Sequence, residues 1–113
     1  MKRSLATFAA LLIAWPLTAI GEGDMPAPPA ARRHELLRLL RQDCGSCHGM
    51  RLTGGLGPAL TRQALRDKPD DSLVATIVSG RAGTPMPPWK PFMTEDEARW
   101  LVERLKEGDT DGK

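Results

Sequence analysis

Only two cysteines occur in the chain, and they stand three positions apart with a histidine directly behind them: Cys44-Gly45-Ser46-Cys47-His48. No other feature restricts the possible folds so strongly. Two thiols at this spacing, near a helix end, can each add to one vinyl group along an edge of a porphyrin. The next residue then brings an imidazole beneath the iron. The C-x-x-C-H pattern therefore points to one covalently bound haem c, with Cys44 and Cys47 as the attachment residues and His48 as the proximal iron ligand. Three plainer readings compete. A structural disulfide or two free thiols need neither His48 nor the glycine-rich stretch beyond it. A thioredoxin-like dithiol belongs beside a βαβ pattern, and no segment here reads as a strand. A zinc site wants four ligands, and the only other histidine is His34.

Size makes a buried cofactor useful. The chain has 113 residues, and its first part has the form of an export signal. Met1, Lys2 and Arg3 give a positive start, Leu5 to Ile20 is apolar apart from Thr7, Pro16 and Thr18, and Ala19-Ile20-Gly21 offers small residues for cleavage. Residues 1–21 are expected to be a signal peptide cut near Gly21, which sends the protein to the periplasm. The rival is an uncleaved anchor, disfavoured because the apolar run is short and broken by Pro16; no other segment could span a bilayer, so no stable membrane insertion is expected. Cleavage would remove Lys2 and Arg3. The 16 basic residues of the whole chain then fall level with its 14 acidic ones, a balance that disfavours nucleic acid as a partner. Only Trp89, Phe92 and Trp100 would remain as aromatics. A domain this small and this poor in large apolar side chains needs a staple, and a haem supplies a large apolar plane for the core.

Residues 22–31, rich in proline and alanine, read as a tether. Residues 32–108 form the domain proper, and 109–113 a polar tail expected to fray. From Arg32 to about Asp43 neither proline nor glycine occurs, and Leu36, Leu37, Leu39 and Leu40 recur at helical spacing, which predicts a first helix running into the cysteine motif. Gly54, Gly55, Gly57 and Pro58 predict a loop whose backbone can come close to a flat ring. Leu60 to Leu65 reads as a short helix. A middle helix follows Lys68-Pro69, with Asp70 or Asp71 as N-cap, an apolar stripe of Leu73, Val74, Ile77 and Val78, and Gly80 as a left-handed C-cap. Arg81 to Phe92, with Pro85, Pro87, Pro88 and Pro91, must be an extended loop. Thr94 and Glu97 form a capping box ahead of a last helix with Ala98, Leu101, Val102 and Leu105 on one face and Gly108 at its end. The expectation is an all-α domain with two long loops that serve a ligand.

A second iron ligand has to come from elsewhere in the chain. Met25 lies in the tether, and Met50 follows His48 too closely to cross the ring. Met86 sits in Thr84-Pro85-Met86-Pro87-Pro88-Trp89, where prolines on both sides stiffen the backbone, and it is the preferred axial ligand. Met93 is the runner-up, although beside the Thr94 cap it reads as a packing staple. The Pro58 carbonyl is the candidate acceptor for the other ring N–H of His48, unless Gly57-Pro58 is merely a turn. Arg81 and Trp89 flank the methionine loop as candidate haem contacts; a solvated arginine and a core tryptophan are equally good accounts. Met50, Leu56, Pro87 and Trp89 are candidates to ring an exposed haem edge.

Together these residues resemble the class I c-type cytochromes. The likeness covers about Leu36 to Leu105, with an N-terminal helix, Cys44 to His48, Gly57-Pro58-Ala59-Leu60, Met86-Pro87-Pro88, and a final helix with Trp100 at its aromatic position, in that order. It implies the cytochrome c fold, with Leu36 and Leu40 of the first helix meeting Trp100 and Leu101 of the last. It also implies Cys44 and Cys47 thioethers, His48 and Met86 on the iron, and a Pro58 carbonyl contact. The phrases Gln42 to Met50, Thr53 to Leu60 and Gly83 to Trp89 are similar to the small monohaem cytochromes that accompany the haem-d1 nitrite reductase of denitrifying bacteria. That likeness implies a monomeric one-electron carrier and not an enzyme. Its redox partners would be the nitrite reductase and a periplasmic or membrane electron donor. The alternative it leaves is an accessory role in d1-haem maturation.

Overall fold

The protein, in a computed structural model, is described over residues 25–112. The expected signal peptide, the cleavage point and the first residues of the tether lie outside this range. Within it, the elements are α1 (Ala30–Leu39), a π-helical turn (Leu40–Cys44), α2 (Gly45–His48), α3 (Arg62–Leu65), α4 (Asp70–Ser79) and α5 (Glu95–Glu107), with no strand among the described residues. No described helix is long and apolar enough to cross a membrane.

The first helix begins where the prolines stop. The Pro29 carbonyl accepts the Arg33 N–H at 2.9 Å, and Ala30 and Ala31 form the opening turn, ahead of the start expected at Arg32. Alanine is the strongest helix former, and a preceding proline removes no bond that a first turn needs. The helical run then continues to His48 through the π turn, where the Gly45 N–H reaches the Leu40 carbonyl. Such wide turns gather at functional sites, and this one ends on the first cysteine. Gly49, at φ 91°, stops the run.

α4 departs from expectation at both ends. Its N-cap is Pro69, with Asp70 and Asp71 inside the first turn and no side chain closing it. The two carboxylates serve the neighbouring helix instead. Asp70 pairs with Lys106, which also donates to the Lys68 carbonyl at 2.6 Å, and Asp71 accepts from Arg99 at 2.8 Å. At the other end Gly80 has a positive φ of 66°, but its ψ of −169° sends the chain out extended in place of the left-handed cap.

α5 follows its sequence closely. The Thr94 hydroxyl accepts the Glu97 N–H at 3.2 Å, the Glu97 carboxylate accepts the Thr94 N–H at 2.9 Å, and Gly108 is left-handed at φ 75°. Arg32 of α1 donates to both Glu97 oxygens, at 2.6 and 2.9 Å, and to the Phe92 carbonyl at 2.7 Å. One guanidinium thus joins α1, the end of the proline loop and the cap of α5. The described part of the tail lies back against the first helical run. Thr110 offers its carbonyl to Arg41 at 3.1 Å, and Gly112 lies against Leu37.

One apolar cluster holds the elements together. Leu36, Leu37 and Leu40 meet Ala98, Leu101, Val102 and Leu105, with Leu65, Val74, Leu52 and Met93 completing it and Trp100 packed at its edge. Leu52 is buried at φ 58°. That left-handed conformation costs roughly 1–2 kcal/mol for a residue with a side chain. It is held by the Leu52 N–H on the Gly49 carbonyl and the Leu60 N–H on the Leu52 carbonyl, both at 2.8 Å.

Candidate haem site

A cavity of about 860 Å³ opens beside this core, at the upper end of the range of small-molecule sites. The helical run from α1 to α2 contributes Leu40, Cys44, Cys47 and His48 to its wall. The glycine loop contributes Leu56 to Leu60, and the proline loop Arg81, Met86, Pro87 and Trp89. Leu101, Val102 and Leu105 of α5 line it as well, so the wall is largely hydrocarbon. The four residues singled out for haem attachment and iron ligation therefore border one space.

His48 is buried. Its Nδ1 lies 2.7 Å from the Pro58 carbonyl oxygen. A carbonyl can only accept, so Nδ1 carries a proton, and in the neutral ring Nε2 keeps its lone pair. This is the tautomer a metal ligand requires, and the hydrogen bond fixes the ring and raises its basicity. The Pro58 contact expected from sequence is present.

Besides the place of Gly57 on the cavity wall, the glycines around it have a second role. They bring the loop onto the cysteine motif itself. The Gly54 N–H bonds the His48 carbonyl and the Gly57 N–H the Cys47 carbonyl, both at 2.8 Å. A Cβ on Gly57 would stand 2.8 Å from imidazole Nδ1 and Cε1, and one on Gly55 would stand 2.8 Å from the Cys47 carbonyl oxygen. The backbone approach demanded by these glycines is to His48 and its peptide neighbours.

Both cysteines are unpaired and half-buried on the cavity wall. Burial, with the Asp43 carboxylate next to it, pushes the Cys44 thiol up to about 11. A redox-active dithiol needs a lowered value, so the surroundings of Cys44 suit a neutral sulfur, thiol or thioether, better than a thioredoxin-like thiolate.

Two methionines reach the cavity. Met86 is half-buried in the proline loop, whereas Met93 is buried beside the Thr94 cap, in the same core as Ala98, as a staple residue would be. Met50 is 71% exposed and Met25 47%, and neither lines this cavity. Arg81 is exposed at the cavity rim, and the half-buried Trp89 stacks at a tilt on Phe92, with ring centroids 5.7 Å apart. Of the residues expected to ring an exposed edge, Leu56, Pro87 and Trp89 border the cavity and Met50 does not. His34 is exposed, as expected. Sequence reading missed Thr84, whose bonds within the proline loop bear on Met86, and Arg32, whose partners lie far along the chain.

Comparison with known proteins agrees with this arrangement. Residues 31–103 match the family described as cytochrome c oxidase, cbb3-type, subunit III. The chain is 58% identical over 100 residues to cytochrome c55X of Pseudomonas aeruginosa, covering 88% of this chain and 82% of that protein. It is 45% identical to cytochrome c55X of Paracoccus denitrificans, covering 95% of this chain and all of its relative. Among solved structures, a c-type cytochrome named NirC superposes with a TM-score of 0.72 at 63% identity, covering 74% of this chain and 98% of that one. The fold is therefore the all-α cytochrome c fold. The chain belongs to the c-type cytochromes, proteins that carry haem c bound covalently through the C-x-x-C-H position which Cys44 and Cys47 occupy here.

Proposed function

We propose that this protein is a periplasmic one-electron carrier whose iron is held by His48 and Met86, and that it serves nitrite reduction. The carrying observation is the 2.7 Å contact from His48 Nδ1 to the Pro58 carbonyl, on a cavity whose wall also holds Cys44, Cys47 and Met86. It leaves Nε2 available for iron, while the proline loop brings a thioether to the same space. Haem c, when bound, supplies an iron centre that cycles by one electron. The chain does the rest. His48 is held in one tautomer by Pro58, and Leu40, Leu101, Val102 and Leu105 give the cavity an apolar wall. With His48 and Met86 both holding the iron, no position would be left for a substrate, which is why the reading is a carrier and not an enzyme.

The nitrite reductase assignment is supported by the resemblance of the Gln42 to Met50, Thr53 to Leu60 and Gly83 to Trp89 phrases to the cytochromes that accompany that enzyme. The likeness to cytochrome c55X and NirC supports it further. The export-like residues 1–21 support a periplasmic location. The exposed Leu56 at the cavity rim suits a small, weak docking patch of the kind redox encounters use.

The test is to mix reduced protein with haem-d1 nitrite reductase and follow its oxidation on adding nitrite. Oxidation at a rate that supports turnover is expected. Failure to oxidise, together with loss of d1 haem from reductase made in cells lacking this protein, would move it to a maturation role.

A further inference from the structure

The proline loop holds Met86 at an unusually complete set of main-chain contacts. Pro85, Pro87 and Pro88 have no N–H, so from residue 85 to 88 the only backbone donor is that of Met86. It points to the Thr84 hydroxyl at 3.4 Å. That hydroxyl in turn donates to the Arg81 carbonyl at 2.7 Å, which also accepts the Thr84 N–H at 3.1 Å. The Met86 carbonyl accepts the Arg81 N–H at 3.1 Å. Both polar atoms of the Met86 peptide are thus bound within one short loop.

Gly80 closes the loop from beneath. At φ 66° and ψ −169° it occupies a conformation that is essentially reserved for glycine. A Cβ there would stand 2.7 Å from the Met86 carbonyl oxygen, 2.6 Å from the Pro87 carbonyl carbon and 2.7 Å from the Pro88 nitrogen. These are backbone atoms of a proline-stiffened segment and have little freedom to give way.

We infer that Gly80 and Thr84 are positioning residues that clamp the Met86 main chain, and that this clamp helps hold the Met86 sulfur in place against a competing ligand. The inference rests on Met86 as the iron ligand. An exogenous ligand must compete with a loop already folded in the closed form. The affinity for such a ligand falls by whatever factor the clamp contributes to closure. Removing the Thr84 hydroxyl deletes both of its hydrogen bonds, a short one to Arg81 and a long one from Met86, on an exposed loop; together they correspond to about a fivefold shift. Forcing a side chain onto Gly80 costs more, on the order of tenfold or above, because its conformation is closed to other residues and backbone atoms stand in the way.

The experiment uses oxidised holoprotein and two readouts: the sulfur-to-iron charge-transfer band at the red edge of the visible spectrum, and the dissociation constant for imidazole. Thr84→Val is expected to weaken the band and tighten imidazole binding about fivefold. Thr84→Ser keeps the hydroxyl and restores both. Gly80→Ala tightens imidazole binding on the order of tenfold or above, and the Thr84 pair decides the matter alone if that variant does not accumulate. Met86→Ala separates the two layers. If it abolishes the band while Thr84→Val matches the parent in band and imidazole affinity, the clamp is wrong and the ligand assignment stands. A band intact in Met86→Ala overturns the ligand assignment and the clamp with it.

Discussion

The two long loops that line the cavity are built from opposite materials. The loop after His48 is made of glycines, and the loop before Met93 is made of prolines. The glycine loop is held by main-chain bonds onto the Cys47 and His48 peptides and has the imidazole against Gly57. The proline loop has few donors. Apart from the Arg81 and Thr84 contacts around Met86, it is anchored toward its end, by the Trp89 and Lys90 N–H groups on the Ile77 and Val78 carbonyls and by Arg32 on the Phe92 carbonyl. Glycine permits a close approach and costs chain entropy, whereas proline restricts the unfolded chain and gives up hydrogen bonds. The histidine side therefore depends on fit, and the methionine side on stiffness and a few anchors.

This contrast can be broken most severely by removing what both loops enclose. Cys44→Ala combined with Cys47→Ala should give little or no holoprotein, read as loss of the pyridine haemochrome spectrum from the exported fraction. The next effect separates the loops. Gly57→Ala places a methyl group on the His48 ring, and overpacking of this kind should cost roughly 1–3 kcal/mol. Pro87→Ala loses only unfolded-state restriction and should cost less than about 1 kcal/mol. Thermal unfolding of the two variants should rank them in that order, and equal losses would mean that the glycine loop can move aside.

The third effect concerns the anchor of the proline loop. The Arg32 guanidinium beside Glu97 holds that carboxyl below the usual carboxylate range, helped by the Thr94 N–H. The depressed value means that the pair stabilises the fold fully above about pH 4.3, the range where an unfolded glutamate is already ionised. That contribution is lost as pH falls through the folded value. Glu97→Gln should accordingly flatten the acid limb of the melting temperature against pH. Arg32→Ala should destabilise by about 1–3 kcal/mol, leaving a hydrogen-bonded carboxylate without its charged partner. The smallest effect on stability should come from Leu56→Ser at the exposed rim, within about 0.5 kcal/mol. If Leu56 belongs to a docking patch, the same variant should slow oxidation by the nitrite reductase, and an unchanged rate would remove it from that patch.

Much of this was legible along the chain. The capping box at Thr94 and Glu97, the helix stop at Gly108, the Pro58 acceptor for His48 and the two long loops all stand where the sequence puts them. Asp70 and Asp71 do not. They carry the residue type of an N-cap, but Lys106 and Arg99 of α5 compete for them, and a charged partner outweighs a neutral amide. Gly55 and Gly57 were readable as close-approach positions, but their approach to the His48 ring and the Cys47 carbonyl was not.

Sequence alone determined the interactions whose partners lie within a turn or so of each other: caps, stops, the proline-stiffened loop, and the attachment motif that names the cofactor. These depend on covalent spacing and backbone sterics, which no distant contact alters. The tertiary structure decided which carboxylates cap and which bridge, that the tail returns to α1, and that Gly57 lies on the imidazole. Those outcomes hang on where the two loops carry the helices, and a loop's path is set by the packing it finally permits.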